Sequence, residues 1–435
     1  MHALLALLSL AALAHAQKPA RPNVILISID TLAADHMGLY GYPRDTTPFL
    51  SKFAAENVLF ENTFSQAAYT LPSHISMFTG LYVETHKIYA RWPRTTLAPG
   101  FKTLPEILKA NGYKTIWMAT RHDSHLAFDR GLGRGFDEVD DVALEMGPGL
   151  AKVKRLLGKV KARPFFLFLH TYMVHDPYRP IAPYDHLFDP GYKRYIELDT
   201  QKLFKMSPMV PDTRDPELSW QDHVNLHTRS HYLKQFNLRD EADHRHFVAL
   251  YDGGVRTADD AMKAIFATLK RQGLYDNSLI VLTSDHGETF GARGYYFHMR
   301  PTREEIHVPL IMKLPGVKPR RIAQTALSID ILPTVLDQLR LPAPAGVEGR
   351  SLLPLLEGKP IERDEYFHSH GDGRMDAIWN SEWKLRFSSR EIPDPLLFHL
   401  SDDPYELHDI AGANPSVVNR LKAAMTLFRM KRAGN

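Results

Sequence analysis

The chain has 435 residues, enough for one large α/β domain and a smaller one. Hydrophobic residues make up 44% and charged residues 24%, and a net charge of only +3 argues against nucleic acid as the main partner. The sequence contains no cysteine, which excludes disulfides, thiolate catalysis and cysteine-ligated zinc.

The N-terminus has the pattern of a leader. Residues 3–14 form an apolar run that is too short to span a bilayer, and Ala-His-Ala at 14–16 supplies a small-x-small cleavage pattern. We predict a signal peptide over residues 1–16 and a periplasmic or secreted protein; the alternatives are an uncleaved N-terminal anchor or a buried helix. No later stretch is long and apolar enough to cross a membrane, so we expect no membrane span in the mature chain.

Apolar runs rich in β-branched and aromatic residues predict five buried strands. They lie at 24–29, 115–118, 165–170, 279–283 and 308–312. Helical patterns at 47–56 and 255–272 alternate with them, and Gly273 stands where the second helix should stop. Strands that alternate with helices indicate βαβ units, so we predict an α/β fold with a large, mostly parallel sheet flanked by helices.

The polar segment 180–245 lacks a clear strand period and is rich in His, Asp and Arg. We interpret it as an insertion, partly helical, over the active face, and we expect it to determine which substrate binds.

The last part of the chain has a different pattern. After the Pro- and Ala-rich stretch 341–346, short alternating runs around Trp379 and Trp383 predict a small antiparallel sheet, and a helix follows at 415–431. The predicted units are a catalytic domain over residues 22–345 and a small C-terminal sheet-and-helix subdomain over residues 346–435.

Two of the predicted strands end in side chains that can bind a metal. Asp30 follows the first strand directly, and Asp285 and His286 follow the fourth. Ligands bind beyond the carboxyl ends of parallel strands, so we expect these residues to meet at one sheet edge. Two carboxylates and an imidazole suit Zn, Mn or Mg better than calcium, without excluding it. An Asp after a strand is otherwise a common cap or turn residue.

Thr70 begins a segment that reads as a helix N-terminus, because Pro72 is typical of a first helical turn and an apolar periodic run follows. Such a terminus attracts oxyanions, and a hydroxyl beside a divalent cation can act as a nucleophile. Taken alone, Thr70 reads as an ordinary N-cap.

Histidines at or near predicted strand ends indicate an anion pocket or acid/base groups: His122, His125, His170, His175, His286 and His298.

These segments, in this order, resemble the sulfatases, a branch of the alkaline-phosphatase superfamily, and the resemblance implies an alkaline-phosphatase-like fold. The resemblance runs from Pro22 to about Gly316 and resumes at Leu400-Ser401-Asp402-Asp403-Pro404-Tyr405-Glu406. It implies one divalent cation (Ca, Mn, Zn or Mg) held by Asp30, Asp285 and His286, with Thr70 at the metal as the nucleophile. It also implies that His74 supports the nucleophile and that the leaving group and oxyanion contact three histidines, His122, His175 and His298.

Thr70 departs from the family pattern. Sulfatases use a formylglycine made from Cys or Ser, whose hydrate has two hydroxyls, whereas threonine has one. His286 is more like the phosphoester-cleaving branch, and His74 and His298 stand where the family has Arg and Lys.

We therefore predict a metal-dependent hydrolase of sulfate or phosphate esters that forms a covalent Thr70 intermediate. Its expected partner is a sulfated or phosphorylated small molecule, glycan or lipid headgroup. The alternatives are a transferase that moves a phospho-headgroup onto an envelope glycan or lipid, and a non-catalytic binder of such ligands.

Overall fold

The structure is a computed structural model that describes residues 21–89, 95–120, 125–144, 146–160, 164–205, 229–371, 375–387 and 395–433. The predicted leader and His122 lie outside these ranges. The strands, in chain order, are β1 Asn23–Ile29, β2 Val58–Phe60, β3 Thr63–Phe64, β4 Lys114–Ala119, β5 Glu138–Asp141, β6 Phe165–Thr171, β7 Ser278–Thr283, β8 Thr289–Phe290, β9 Tyr296–Phe297, β10 Leu310–Lys313, β11 Arg320–Ile322, β12 Ala326–Leu327, β13 Phe367–His370, β14 Asp376–Trp379, β15 Trp383–Phe387 and β16 Leu396–His399.

The α-helices, in chain order, are α1 Pro48–Ala55, α2 Thr70–Thr79, α3 Val83–His86, α4 Leu104–Ala110, α5 Pro148–Leu157, α6 Thr200–Lys205, α7 Glu241–Arg271, α8 Arg303–Ile306, α9 Ile331–Gln338, α10 Leu353–Leu356 and α11 Pro415–Ala433. Within the described ranges, no helix has both the length and the apolar character needed to cross a bilayer.

The main sheet has eight strands in the order β11-β2-β10-β7-β1-β6-β4-β5. β1 lies at its centre and pairs in parallel with both β6 and β7. This confirms the prediction of a large, mostly parallel sheet. β10 is the exception, because it runs antiparallel to both β7 and β2. A short apolar run predicts a buried strand but carries no information about its direction, which depends on the connection that precedes it.

The sheet is covered by helices on both faces. Ile25, Ile27 and Ile29 of β1 pack into a core with α1, α5 and α7, whereas Val24 and Leu26 pack into a second core with α2, α4 and α9. Successive side chains of a strand point to opposite faces, so a strand buried on both sides must be apolar along its whole length. This burial explains why β1 reads as a continuous apolar run.

Helix α7 begins well before the predicted start at residue 255, inside the segment that we interpreted as an insertion. Asp240 caps it by accepting hydrogen bonds from the N–H groups of Ala242 and Asp243. Gly253 and Gly254 in its middle look like helix breakers, but a Cβ on Gly253 would clash with the carbonyl oxygen of Tyr184. These glycines therefore allow close packing of a neighbouring loop, which propensity alone does not reveal.

The C-terminal part contains the predicted antiparallel sheet, with four strands in the order β13-β14-β15-β16. Helix α11 packs on it through Val418, Leu421 and Met425. β13 also bonds to the segment that leads into α2, because Ala68 N–H donates to His370 O at 2.9 Å and His370 N–H donates to Gln66 O at 2.9 Å. The small sheet is thus attached to the segment just before Thr70, and the boundary at residue 345 stays a prediction.

His307 provides a pH-dependent contribution to stability. Its Nε2 lies 2.9 Å from the carbonyl oxygen of Glu61, and burial, helped by Arg303, lowers its pKa from 6.5 to about 3. The unfolded chain therefore binds a proton there at pH values where the folded chain does not, so this contribution is lost as the pH falls below 6.5.

We expect wild-type protein to lose about 2 kcal/mol more unfolding free energy than His307→Gln between about pH 7 and about pH 5. The glutamine can still donate to the Glu61 carbonyl but cannot take up the proton. Urea unfolding of both proteins at the two pH values measures the difference. Equal pH dependence in the two proteins would contradict the assignment.

Candidate metal and catalytic site

The parallel pairing of β1 with β7 brings two strand ends together. Ser28 is paired with Thr283, so the next residues of both strands leave the sheet at its carboxyl edge. Ser284 links the two ends: its Oγ lies 2.7 Å from the Ile29 carbonyl oxygen and accepts the Leu32 N–H at 3.0 Å. The chain turns sharply after Asp30, where Thr31 has a φ of +57°.

Asp30, Asp285 and His286 meet at this edge, as the sequence predicts. One ligand atom from each lies within 4.8 Å of the others, and all three side chains are fully buried. His286 Nε2 is 3.5 Å from Asp285 Oδ2 and 3.9 Å from Asp30 Oδ1.

The chemistry of these three side chains fits a divalent cation. His286 Nδ1 donates to the Gly287 carbonyl oxygen at 3.0 Å, which leaves the lone pair of Nε2 facing the two carboxylates. Asp285 Oδ2 accepts no hydrogen bond from any described residue, although it is buried. Two buried carboxylates beside an imidazole lone pair require a positive charge, and a carboxylate–imidazole set suits Zn²⁺ or Mn²⁺.

Two further histidines support this group from behind. His170 Nε2 lies 3.0 Å from Asp30 Oδ2, which holds that carboxylate in place. His74 Nδ1 donates to the Thr70 carbonyl oxygen at 2.8 Å, and its Nε2 accepts from Ser28 Oγ at 2.9 Å. Burial lowers the pKa of His74 to about 4, although Asp285 opposes the shift. His74 is therefore neutral near pH 7 and positions the turn that carries Thr70.

Thr70 is the first residue of α2, and its Oγ1 lies 3.4 Å from His286 Nε2. The side chain of Tyr69, at the N-cap, makes no capping hydrogen bond, and Pro72 lies in the first turn as predicted. Ser73 Oγ donates to the Asp285 carbonyl oxygen at 2.6 Å and so fastens the start of the helix to the loop after β7. The Thr70 hydroxyl is held at the metal-ligand group by these contacts.

Gly287 is needed because the backbone of another segment lies directly against it. A Cβ at this position would clash with the carbonyl oxygen of Glu304, and the Gly287 N–H donates to the Glu305 carbonyl oxygen at 2.7 Å. The loop that carries Asp285 and His286 therefore packs directly on the backbone of α8, which leaves no room for a side chain.

A row of imidazoles extends from His286. The ring centroids of His286 and His298 are 4.5 Å apart, those of His298 and His175 are 5.1 Å apart, and those of His175 and His125 are 6.2 Å apart. Burial lowers the pKa of both His175 and His298, so neither carries a permanent positive charge near pH 7. The structure thus brings together Asp30, Thr70, His74, His175, Asp285, His286 and His298, while His122 lies outside the described residues.

Two neighbours of this row were not predicted. Glu288 Oε1 lies 3.0 Å from His298 Nδ1, and Arg229 Nε lies 2.9 Å from Asp176 Oδ2 while its guanidinium stacks on Phe297 at 3.9 Å. Glu288 belongs to the Ser-Asp-His-Gly-Glu segment that also carries Asp285 and His286, so its place in the sequence could have indicated that it lies near the site. Arg229 lies in the polar segment 180–245, and nothing near it in the sequence indicates a contact with Asp176.

Two family models match this chain. The model of the family described as Sulfatase matches residues 22–341, and the model described as N-sulphoglucosamine sulphohydrolase, C-terminal, matches residues 291–431. Together they cover the main sheet, the site and the C-terminal sheet.

Individual relatives align with almost the whole chain. The multifunctional alkaline phosphatase superfamily protein PehA of Trinickia caryophylli is 26% identical, over 90% of this chain and 91% of its own length. Arylsulfatase K of Canis lupus familiaris is 24% identical, over 93% of this chain and 81% of its own. The crystal structure of the phosphonate monoester hydrolase of Agrobacterium radiobacter superposes with a TM-score of 0.71 at 20% identity, over 95% of this chain and 96% of the other, and shows the same fold.

We expect Asp285→Ala to lose one equivalent of bound divalent cation relative to the wild type, because it removes the carboxylate whose Oδ2 faces His286. Calorimetric titration and metal analysis after equilibrium dialysis measure the stoichiometry. Asp129→Ala, a change at an exposed aspartate, is the control and should bind as the wild type does. Undiminished binding by Asp285→Ala would remove Asp285 from the metal site.

Proposed function

The chain belongs to the sulfatase family of ester hydrolases, and from this premise we propose that it cleaves phosphate or sulfate esters through a covalent intermediate on Thr70. The observation that carries the proposal is the position of the Thr70 hydroxyl. It lies at the start of α2, 3.4 Å from His286 Nε2, in the same buried group as Asp30 and Asp285. A buried hydroxyl at this place is available to attack an ester whose oxygens face the helix N-terminus.

A divalent cation would be held by Asp30, Asp285 and His286, with the Thr70 hydroxyl beside it. Such a cation, when bound, lowers the pKa of a neighbouring hydroxyl and neutralises charge on the ester oxygens. The residues of the chain do the positioning: His170 holds Asp30, His74 holds the Thr70 carbonyl, and Ser73 fastens α2 to the loop after β7.

The single hydroxyl of threonine determines how the reaction must end. Thr70 Oγ forms a bond to phosphorus or sulfur while the bond to the leaving oxygen breaks. A formylglycine hydrate could expel the bound group with its second hydroxyl, but a threonine ester must be cleaved by water. Attack of water at phosphorus releases phosphate and restores Thr70, so this chemistry favours phosphorus esters over sulfate esters.

The leaving oxygen needs a proton, and His298 is the residue best placed to exchange one. Burial raises the pKa of the Glu288 carboxyl well above its usual value, so this group keeps its proton near pH 7. It donates a hydrogen bond from Oε1 to His298 Nδ1, 3.0 Å away, and the neutral ring therefore holds its own proton on Nε2. That proton can pass to the leaving oxygen while Nδ1 takes up the proton of Glu288. His175 lies next to His298 and fixes its own ring by donating from Nδ1 to the Asp176 carbonyl oxygen at 2.6 Å. We assign His298 and His175 to the leaving group and the ester oxygens.

The relatives are named for both kinds of ester: one is an arylsulfatase and one a phosphonate monoester hydrolase. This supports a small molecule, glycan or lipid headgroup that carries sulfate, phosphate or phosphonate as the substrate. The leader pattern at residues 1–16 supports a periplasmic or secreted location. A panel of aryl sulfates, phosphate monoesters, phosphate diesters and phosphonates, assayed with and without added metals, identifies the preferred ester.

Thr70→Ala should abolish turnover, because no covalent intermediate can form, and Thr70→Ser should keep part of it, because the hydroxyl survives. Rapid quenching with a slow ester, followed by peptide mass spectrometry, should find the label on Thr70. Thr79→Ala is the matched control, since Thr79 lies on the same helix and its hydroxyl donates to the Ile75 carbonyl oxygen. Wild-type rates in Thr70→Ala, or a label on another residue, would show that the mechanism is wrong.

His298→Ala should slow cleavage of an alkyl ester by about 10²–10⁴-fold without abolishing it. Glu288→Gln should slow it less, because the amide N–H can still donate a hydrogen bond to Nδ1 and keep the ring proton on Nε2. A 4-nitrophenyl ester needs little proton donation to its leaving oxygen, so both variants should be much less impaired on it. An equal loss on the two substrates would rule out His298 as the proton donor.

A further inference from the structure

A second group of metal-binding side chains lies between the C-terminal sheet and the helix that follows α2. It consists of Glu84 on α3, His370 at the end of β13 and Asp376 at the start of β14, and we call it the hairpin cluster. One ligand atom from each lies within 4.8 Å of the others, and none of the three is more than 6% exposed. It shares no residue with the group around Asp285.

The backbone fixes two of these residues opposite each other. His370 and Asp376 are register partners across the antiparallel pair β13–β14, and His370 Nδ1 lies 2.6 Å from Asp376 Oδ1. Glu84 reaches the pair from α3, which begins three residues after Gly80, the C-cap of α2. The hairpin cluster therefore joins the β13–β14 pair to α3 at one point.

Neighbouring side chains hold both oxygens of Asp376 but only one oxygen of Glu84. His368 Nδ1 lies 3.0 Å from Glu84 Oε1, while Glu84 Oε2 is buried and accepts no hydrogen bond within the described part of the chain. Arg429 contacts Asp376 Oδ2, and Asp376 Oδ1 lies 2.6 Å from His370 Nδ1 and 3.6 Å from His368 Nε2. Side chains that hold one oxygen of a carboxylate and leave the other available are typical of the surroundings of a metal site.

From this arrangement we propose that the hairpin cluster binds a divalent transition-metal ion, with Zn²⁺ as the fitting ion, through Glu84, His370 and Asp376. One imidazole and two carboxylates are ligands that zinc prefers, and water can complete a tetrahedral set. A buried carboxylate oxygen without a hydrogen-bond donor is unfavourable, and a cation removes that penalty.

The ion in this site is structural. It ties the β13–β14 hairpin to α3, and β13 is bonded in turn to Ala68 and Gln66, just before Thr70. The ion thereby fastens the C-terminal sheet to the segment that carries the nucleophile, in the way that structural zinc stabilises small units. The inference does not depend on the reaction that Thr70 performs.

The test uses full-length protein that has been stripped of metal with a chelator and then titrated with Zn²⁺. Stoichiometry is measured by calorimetry and by metal analysis after equilibrium dialysis. His370→Ala and Glu84→Gln should each bind one equivalent less than the wild type. Asp285→Ala should keep the equivalent at the hairpin cluster, and Asp285→Ala combined with Glu84→Gln should lose it. His399→Ala, a change of a part-exposed histidine in the same sheet, is the matched control and should bind as the wild type does.

Thermal unfolding provides a second measurement. Zn²⁺ should raise the melting temperature of Asp285→Ala, and this increase should disappear when Glu84→Gln is added. Glu84→Gln keeps the shape of the side chain, so it remains informative if His370→Ala fails to fold. Wild-type zinc stoichiometry in both His370→Ala and Glu84→Gln, or no bound zinc in Asp285→Ala, would overturn the proposal and leave the cluster as a network of ion pairs only.

Discussion

The site depends on the parallel pairing of β1 with strands on both of its sides. Pairing with β7 sets Asp30 beside Asp285 and His286, and pairing with β6 sets Ser28 opposite His170, which holds Asp30. A shift of one residue in either register would turn these side chains toward the opposite face of the sheet. The apolar cores on the two faces, which make β1 continuously hydrophobic, are what prevent such a shift.

Burial of charge is the second constraint on the site. Asp30, Asp285 and His286 are inaccessible to water, so their charges must be balanced inside the protein. The histidines around them contribute little to that balance near pH 7, because burial lowers the pKa of His74, His175 and His298. Under the proposed function, a cation held by the carboxylates and the N–H groups at the start of α2 would supply most of the positive potential for an anionic ester.

The segment around Thr70 is supported from two directions. His74 and Ser73 fasten the first turn of α2 to the sheet edge, while β13 of the C-terminal sheet bonds to the residues just before it. The small sheet is thus part of the surroundings of Thr70 rather than a distant appendage. This arrangement gives a physical reason for a family match that continues through the C-terminal residues.

The sequence by itself determined the local features. Apolar runs identified the strands β1, β4, β6 and β7. The position of Asp30 and Asp285 directly after two of these strands made them candidate metal ligands, and Pro72 indicated the start of α2. These features depend on the periodicity and the turn preferences of residues that are close together in the chain, so the sequence shows them directly.

Tertiary structure decided the features that depend on residues far apart in the chain. Neighbouring residues did not determine the direction of β10, the early start of α7 or the contact of Arg229 with Asp176. The neutrality of His74 follows from burial between α2 and the sheet, and Gly287 is required by the backbone of Glu304. The meeting of Glu84 with His370 and Asp376 likewise exists only after the C-terminal hairpin has packed on α3. Contacts of this kind depend on the packing of whole elements, which no local pattern specifies.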